Sequence, residues 1–360
     1  MKVALVYDRV NKWGGAERVL LTLHEMFPDA PLYTSVYDSK KAPWADIFDI
    51  RTSFLQKLPI SFHHEYYPFL MPLAFEGFSF DDYDLVISVT SEAAKGIITK
   101  PHTLHICYCL TPTRYLWSGY ENYFRNPLFQ ILSYPSVSYL RAWDLVAAKR
   151  PDAYIAISKE VQNRIKKYYD RESEVIYPPV EIPNTKYQIP NTGFFLVVSR
   201  LVSYKRIDIA IEACNRLRLP LKIVGVGSEE KRLKRIAGST IEFLGNLTDN
   251  ELVRYYKACL ALIFPGNEDF GIVMGEASLF SKPVIAFKGG GALEIIREGK
   301  TGAFFYPQTA QALTDCLMIF KSKSFKDEII KDCAVRFGKD RFKKAFFDMI
   351  AMLYKEHSKK

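Results

Sequence analysis

The chain has 360 residues, 48% hydrophobic and 25% charged. These globular proportions exclude a disordered or low-complexity protein, and the length favours two domains, each with its own core. The formal charge of +9 favours anionic partners such as phosphates, nucleic acid or an acidic membrane face, but no basic helix, RNA-binding sheet motif or zinc module supports the nucleic-acid class.

The first run, MKVALVYD, predicts a strand over Val3 to Tyr7. It ends at once in Asp8 and Arg9, too soon for a signal-peptide core or a membrane span, so residence in the cytoplasm is expected. A helix is predicted after Gly15, with Val19, Leu20, Leu23 and Phe27 on one face. Gly14 and Gly15 stand between strand and helix, where missing side chains let backbone amides approach a phosphate or sugar; a plain turn is the alternative. HHEYYPFLMPLAFEGF mixes aromatic and apolar residues with basic ones, as an interfacial surface or an ordinary packed helix pair would. DDYD at Asp81 to Asp84 reads as a polar turn before a strand rather than a metal-binding loop.

Further strands are predicted at Leu85 to Ser88, His105 to Cys109 and Tyr154 to Ile157. The six cysteines sit mostly in apolar runs and form no zinc-type spacing, so they read as reduced core residues. Tyr177 to Gly193, with four prolines, is the predicted interdomain linker. A second alternation follows, FFLVVS, KIVGVG, IEFLG, ALIFP and PVIAF, each run succeeded by a predicted helix. Beyond Phe325 the chain reads as helix to its end, closing on a basic tail from Lys355 to Lys360.

In open parallel sheets ligands bind outside the carboxyl ends of strands. After FFLVVS come Arg200 and Lys205, cations suited to a diphosphate; a solvated basic turn is the alternative. VGVG supplies Gly225 and Gly227, a candidate wall for base or ribose that lacks a full dinucleotide fingerprint. After ALIFP, the loop carrying Glu268, Asp269, Phe270 and Gly271 leads into a helix carrying Glu276, eight residues beyond Glu268. A spacing of eight arises often by chance, but here it spans a strand end, a glycine loop and a helix start, where two carboxylates could reach the hydroxyls of one ligand. Gly289 to Gly291 precede another helix as a further backbone contact or a surface loop.

Taken in order, GGAERVL, IRTSFLQKLP, YDLVIS, HICYCLTPTRYLW, EVIYPPV, VSRLVSYKR, EDFGIVMGEA and GGGALEII resemble the family 4 glycosyltransferases of GT-B fold, nearest to the bacterial O-antigen and exopolysaccharide mannosyltransferases. The resemblance covers nearly the whole chain. It implies an α/β fold of two Rossmann-like domains with a central interdomain cleft: an acceptor-binding domain over 1–180, a nucleotide-sugar donor-binding domain over 181–340, and a C-terminal helix over 341–360 packing back on the first. It also implies retaining transfer of a hexose, mannose from GDP-mannose, to a lipid-linked oligosaccharide, with no metal or other cofactor, at the inner face of the plasma membrane. By that analogy Arg200 and Lys205 hold the diphosphate, Glu276 the ribose, and Glu268 with the backbone of Phe270 and Gly271 the transferred sugar, while Gly15 approaches the phosphates. Glu268, Arg200 and Lys205 are the expected catalytic residues.

One departure stands out. The subgroup's usual segment is close to YCHTPMRYAWD, whereas this chain has YCLTPTRYLWS, so Leu110 replaces a histidine that contacts the sugar. A UDP-sugar donor, or a non-catalytic nucleotide-sugar binder, are the competing readings.

Overall fold

A computed structural model describes residues 1–58, 67–123, 126–181, 193–321 and 324–357. The chain forms two compact units, one of Met1–Pro179 with Phe342–Lys360 and one of Val180–Arg341.

The first unit is built on a parallel sheet with strands β1 (Val3–Tyr7), β2 (Leu32–Thr34), β3 (Ile50–Thr52), β4 (Leu85–Thr90), β5 (Leu104–Cys109), β6 (Ala153–Ala156) and β7 (Glu174–Val175). Their order is β3-β2-β1-β4-β5-β6-β7, with Leu5 opposite both Leu32 and Ile87. Every residue of β1, β4 and β5 is buried. A strand covered on both faces cannot alternate, which is why VALVY, LVISVT and LHICYC read as runs. The helix Gly15–Met26 buries Val19, Leu20 and Leu23 as the spacing predicts, and Phe27, just past its end, meets the ring of Phe347. β2, β3 and β7 escape the sequence reading because two or three residues are too few to show a period.

DDYD is the turn into β4, where Asp84 accepts a hydrogen bond from the Lys2 backbone at 2.6 Å. All six cysteines are buried and free. His105 lies buried inside β5 against Ser88, 2.8 Å away.

The second unit carries β8 (Phe195–Val198), β9 (Leu221–Val224), β10 (Ile241–Gly245), β11 (Ala261–Phe264), β12 (Val284–Phe287) and β13 (Gly302–Phe305), in the parallel order β10-β9-β8-β11-β12-β13. The five apolar runs supply all of these except β13, whose four residues begin on a glycine. The core on one side of this sheet packs Ile207, Ile211, Cys214, Leu313 and Leu317 on Val197, Ile223 and Ile263.

Two expectations need correction or restriction. The chain beyond Phe325 is two helices, Asp327–Val335 and Lys339–His357. They are separated because Phe337 turns inward and its carbonyl accepts from the Val180 backbone at 2.8 Å. Most of the predicted linker, residues 182–192, lies outside the described residues, as do 63–66 of the aromatic segment and 358–360 of the tail.

In each sheet the strand order reverses once, between β1 and β4 and between β8 and β11. Crossovers leave in opposite directions there, so the following loops part and open a crevice at the strands' carboxyl ends.

Candidate functional site

In the second unit, the loop after β8 and the loop after β11 meet through an ion pair. Lys205 ends the short turn Ser203–Lys205 and is buried, with its ammonium against a carboxylate oxygen of Glu268 and 5.2 Å from the centre of the Tyr204 ring. The backbone of Lys205 also passes close over Gly266, whose missing Cβ would stand 3.2 Å from the Lys205 carbonyl. A flexible ammonium is thereby held at one place, which removes part of the entropy cost of aiming it at an anion. Arg200 is exposed, and its guanidinium donates to the Tyr204 hydroxyl at 2.6 Å. Tyr204 thus carries one cation at its hydroxyl and another over its ring.

Glu268, Asp269 and Phe270 lead to Gly271, which precedes the helix Ile272–Leu279 with φ 84°. That left-handed conformation is one that a side chain disfavours. Across this loop lies the triple glycine. The Gly291 amide donates to the Glu268 carbonyl at 2.8 Å, and a Cβ on Gly291 would stand 2.4 Å from Phe270 Cα. KGGG is therefore a close backbone brace for the Glu268–Phe270 segment.

Glu276 lies in the second turn of that helix, 2% exposed, and accepts from the Tyr256 hydroxyl at 2.7 Å. Tyr256 itself is buried and stacks on Phe280 at 5.8 Å and 17°. The sequence reading pairs the two glutamates on one ligand; in the structure each already has its own partner. Gly225 and Gly227 have a packing cause. A Cβ on either would fall within 2.2 Å of the carbonyl of Ser199 or Leu201, so both let the Arg200 loop lie against β9.

The first unit's crevice is lined differently. Asp8, just past β1, is buried and accepts from Thr90 Oγ1 at 2.8 Å and from the amides of Ser91, Ala93 and Ala94 at 2.7 to 2.9 Å, tying the loop after β4 to the end of β1. Glu92 in that loop pairs with Arg9 and accepts from the Tyr115 hydroxyl at 2.8 Å. Lys95 is fully buried 2.5 Å from Asp144, which also accepts from Thr113, Trp117 and Tyr169 at 2.7 to 3.0 Å. Leu110 is half-buried at the end of β5, where its amide donates to the Thr90 carbonyl at 2.8 Å, so the backbone is anchored while the side chain offers no dipole. Gly15 begins the helix Gly15–Met26, whose start has no side-chain cap.

The structure thus brings together Lys205 with Glu268, and Phe270 and Gly271 with the glycine brace. It leaves Arg200 in solvent and Glu276 on Tyr256. Tyr256, Asp8, Glu92, Lys95 and Asp144 were missed. The readable signals were small: an aspartate ending an apolar strand, and a lysine inside SEAAKG, where burial demands a partner. Among the described residues no cluster of His, Cys, Asp and Glu could hold a metal ion, and no helix is long and apolar enough to cross a membrane.

Comparison with known proteins finds a family match over part of the chain. Residues 183–332 match the family described as glycosyl transferases group 1. The chain is 28% identical to O-antigen chain mannosyltransferase C of Escherichia coli over 196 residues, 50% of this chain and 51% of that protein; it spans about half the length of the curated relatives it matches. Among solved structures it is similar to Anabaena HepE in complex with UDP-glucose, at a TM-score of 0.72 and 20% identity over 98% of this chain and 100% of the other. It is also similar to WaaG, a glycosyltransferase of lipopolysaccharide biosynthesis, at a TM-score of 0.65 and 17% identity over 93% and 95%. At such identity these likenesses are of fold. The chain carries a glycosyl transferases group 1 domain over residues 183–332, on the paired parallel sheets of a GT-B fold.

Proposed function

We propose that the chain is a retaining glycosyltransferase that moves a hexose, mannose from GDP-mannose, onto a lipid-linked oligosaccharide of a cell-surface polysaccharide. The observation that carries this reading is the buried Lys205 held by Glu268 where the strand order of the second sheet reverses. Breaking an anomeric C–O bond leaves negative charge on the departing diphosphate and positive charge on the sugar. A fixed ammonium stabilises the first. The carboxylate beside it orients hydroxyls of the transferred sugar and favours the second. Arg200, free to swing from Tyr204, closes on the diphosphate, and the Phe270 and Gly271 backbone flanks the sugar. Glu276, aligned by Tyr256, accepts from the ribose, and Gly225 and Gly227 keep the Arg200 loop close to it. Gly15, at an uncapped helix start, offers its amide to phosphate. The leaving phosphate can take the acceptor proton, so no enzyme nucleophile is required.

The likeness to an O-antigen chain mannosyltransferase supports mannose, and the likeness to a protein bound to UDP-glucose supports a second reading with a UDP-sugar. The donor is decided by calorimetry with GDP and UDP, followed by mass-spectrometric transfer assays with GDP-mannose and UDP-glucose on extracted lipid acceptors. GDP binding with mannose transfer is expected. Nucleotide binding without transfer from any donor would instead favour a non-catalytic binder.

Peripheral contact with an anionic membrane face is part of the proposal. The exposed face of the helix Pro127–Ala147 carries Ile131, Leu132, Tyr134, Tyr139, Leu145 and Val146, and Phe69 and Leu73 are exposed on the segment that Trp143 of this helix reaches through Glu76. Aromatic and aliphatic groups on one uncharged helical face suit a lipid interface. Replacing Ile131 and Leu132 by Asp should abolish sedimentation with vesicles containing anionic lipid; unchanged sedimentation would reject this surface.

A further inference from the structure

The three cations in and beside the turn Ser203–Lys205 are held by partners of different charge. Lys205 is buried against the Glu268 carboxylate, and Arg206 pairs with Asp208 at 3.3 Å. Arg200, which is exposed, donates instead to a neutral group, the Tyr204 hydroxyl, at 2.6 Å. The ring of the same tyrosine lies under the Lys205 ammonium, 5.2 Å from the ring centre. One side chain therefore touches both cations expected to meet a diphosphate.

The turn that carries Tyr204 is fixed through its backbone. The Lys205 amide donates to the Val202 carbonyl at 3.1 Å and the Arg206 amide to the Ser203 carbonyl at 3.2 Å. Just before the turn, the Leu201 amide donates to the Val226 carbonyl at 3.0 Å and ties the loop to the chain that follows β9. On such a base a tyrosine has few torsions left, so its hydroxyl and ring stand in defined places. An arginine in solvent is the opposite case, because it loses much rotamer freedom when it is fixed on an anion. A bond formed beforehand removes part of that loss.

The chemistry of the holder matters as well. A carboxylate at this place would hold Arg200 more strongly and would also cancel its charge. A phenol takes one of the guanidinium N–H donors and leaves the charge and the other donors for a ligand. The π face likewise attracts an ammonium without carrying a net charge. Among the described residues of this loop, Arg200 is the cation that pairs with no carboxylate.

We propose that Tyr204 is a positioning residue for the diphosphate: its hydroxyl presets Arg200 and its ring steadies Lys205, each without offsetting the positive charge that the ligand meets. The proposal rests on the glycosyltransferase reading above, and Tyr204 acts through the two cations rather than on the reacting atoms.

The test uses the full chain and calorimetry with GDP, GMP, UDP and UMP as probes. The readout is the ratio of diphosphate to monophosphate affinity, which removes the base and ribose contacts and any general loosening of the unit. Native protein should bind one diphosphate more tightly than its monophosphate. Tyr204→Phe should weaken that diphosphate about fivefold, the share of one hydrogen bond, and leave the monophosphate within about twofold. Tyr204→Leu, which also removes the ring, should weaken the diphosphate about twentyfold. In an Arg200→Ala background Tyr204→Phe should add less than about twofold, since the hydroxyl then has no guanidinium to hold. Tyr204→Glu, which holds Arg200 but cancels its charge, should bind diphosphate less well than Tyr204→Phe. Native protein that binds neither diphosphate would count against the glycosyltransferase reading itself. If diphosphate binds no tighter than monophosphate, or if Tyr204→Phe holds it as the native protein does or weakens both nucleotides alike, the positioning role is overturned. It is overturned equally if the effects of Tyr204→Phe and Arg200→Ala add in full, or if Tyr204→Glu binds diphosphate as the native protein does. Should Tyr204→Leu not fold, Tyr204→Phe, which keeps the ring, still decides.

Discussion

The two sheets share a strand-order reversal and differ in what they place there. At β8 and β11 the loops carry a buried ammonium, Lys205, with glycines bracing the backbone around its carboxylate partner. At β1 and β4 the buried charges are two carboxylates, Asp8 holding the loop after β4 and Glu17 bonded to Tyr7, beside the buried pair of Lys95 and Asp144. The same topology can thus present different charged groups, because topology sets only where loops part and the loop residues set the field.

The sharpest way to break this contrast is at Lys205. Lys205→Met should lower transfer about 10³-fold, comparable to losing a preorganised donor to a developing anion, whereas Arg200→Ala should cost about tenfold because that guanidinium is solvated. Glu268→Ala should lower kcat, and Glu276→Ala should raise the donor KM. Equal and negligible effects would remove the second unit from donor binding. Next in size is Asp8→Asn, which sets an amide against several backbone donors and should destabilise the protein by about 3 kcal/mol, seen as an earlier urea midpoint with nucleotide affinity retained in native conditions. A midpoint unchanged would show that Asp8 does not hold the loop.

The smallest effect is a pH dependence confined to the first sheet. Burial, then Arg171 and Arg150, lower His105 from its ordinary value of 6.5 to about 3. Between those values the unfolded chain binds the proton and the folded one does not, so stability is full above about pH 6.5 and falls as the pH drops. The slope is at most about 1.4 kcal/mol per pH unit. Urea midpoints at pH 7.5 and 5.5 should therefore differ by more in the native protein than in His105→Asn, and parallel shifts would refute it.

Much of the fold was legible because long buried strands leave long apolar runs. VALVY, ALIF and VIAF could scarcely be other than core, and the glycines at 271 and 289–291 marked loops that the structure does use. The short strands β2, β3 and β7 left no run to read. At the site, residue types were legible and partners were not. Lys205 and Glu268 stood out separately, but their pairing spans 63 positions. Nothing local ties Glu276 to Tyr256 or Asp8 to Ala93. Gly225 and Gly227 looked like ligand contacts and prove to have a packing reason, since a glycine records close approach without saying by what.

The helix Lys339–His357 has a consequence for biosynthesis. It sets Phe342 and Phe346 against Tyr108, 5.8 and 5.9 Å between ring centres, and Lys343 on Glu25 at 2.7 Å, so the first unit takes chain from both sides of the second. During synthesis on a ribosome, the intervening unit can close its sheet while the earlier one still waits for Phe342 and Phe346 to emerge. The first half of the sequence made is the last to be finished, and until then Tyr108 lacks the two rings that cover it.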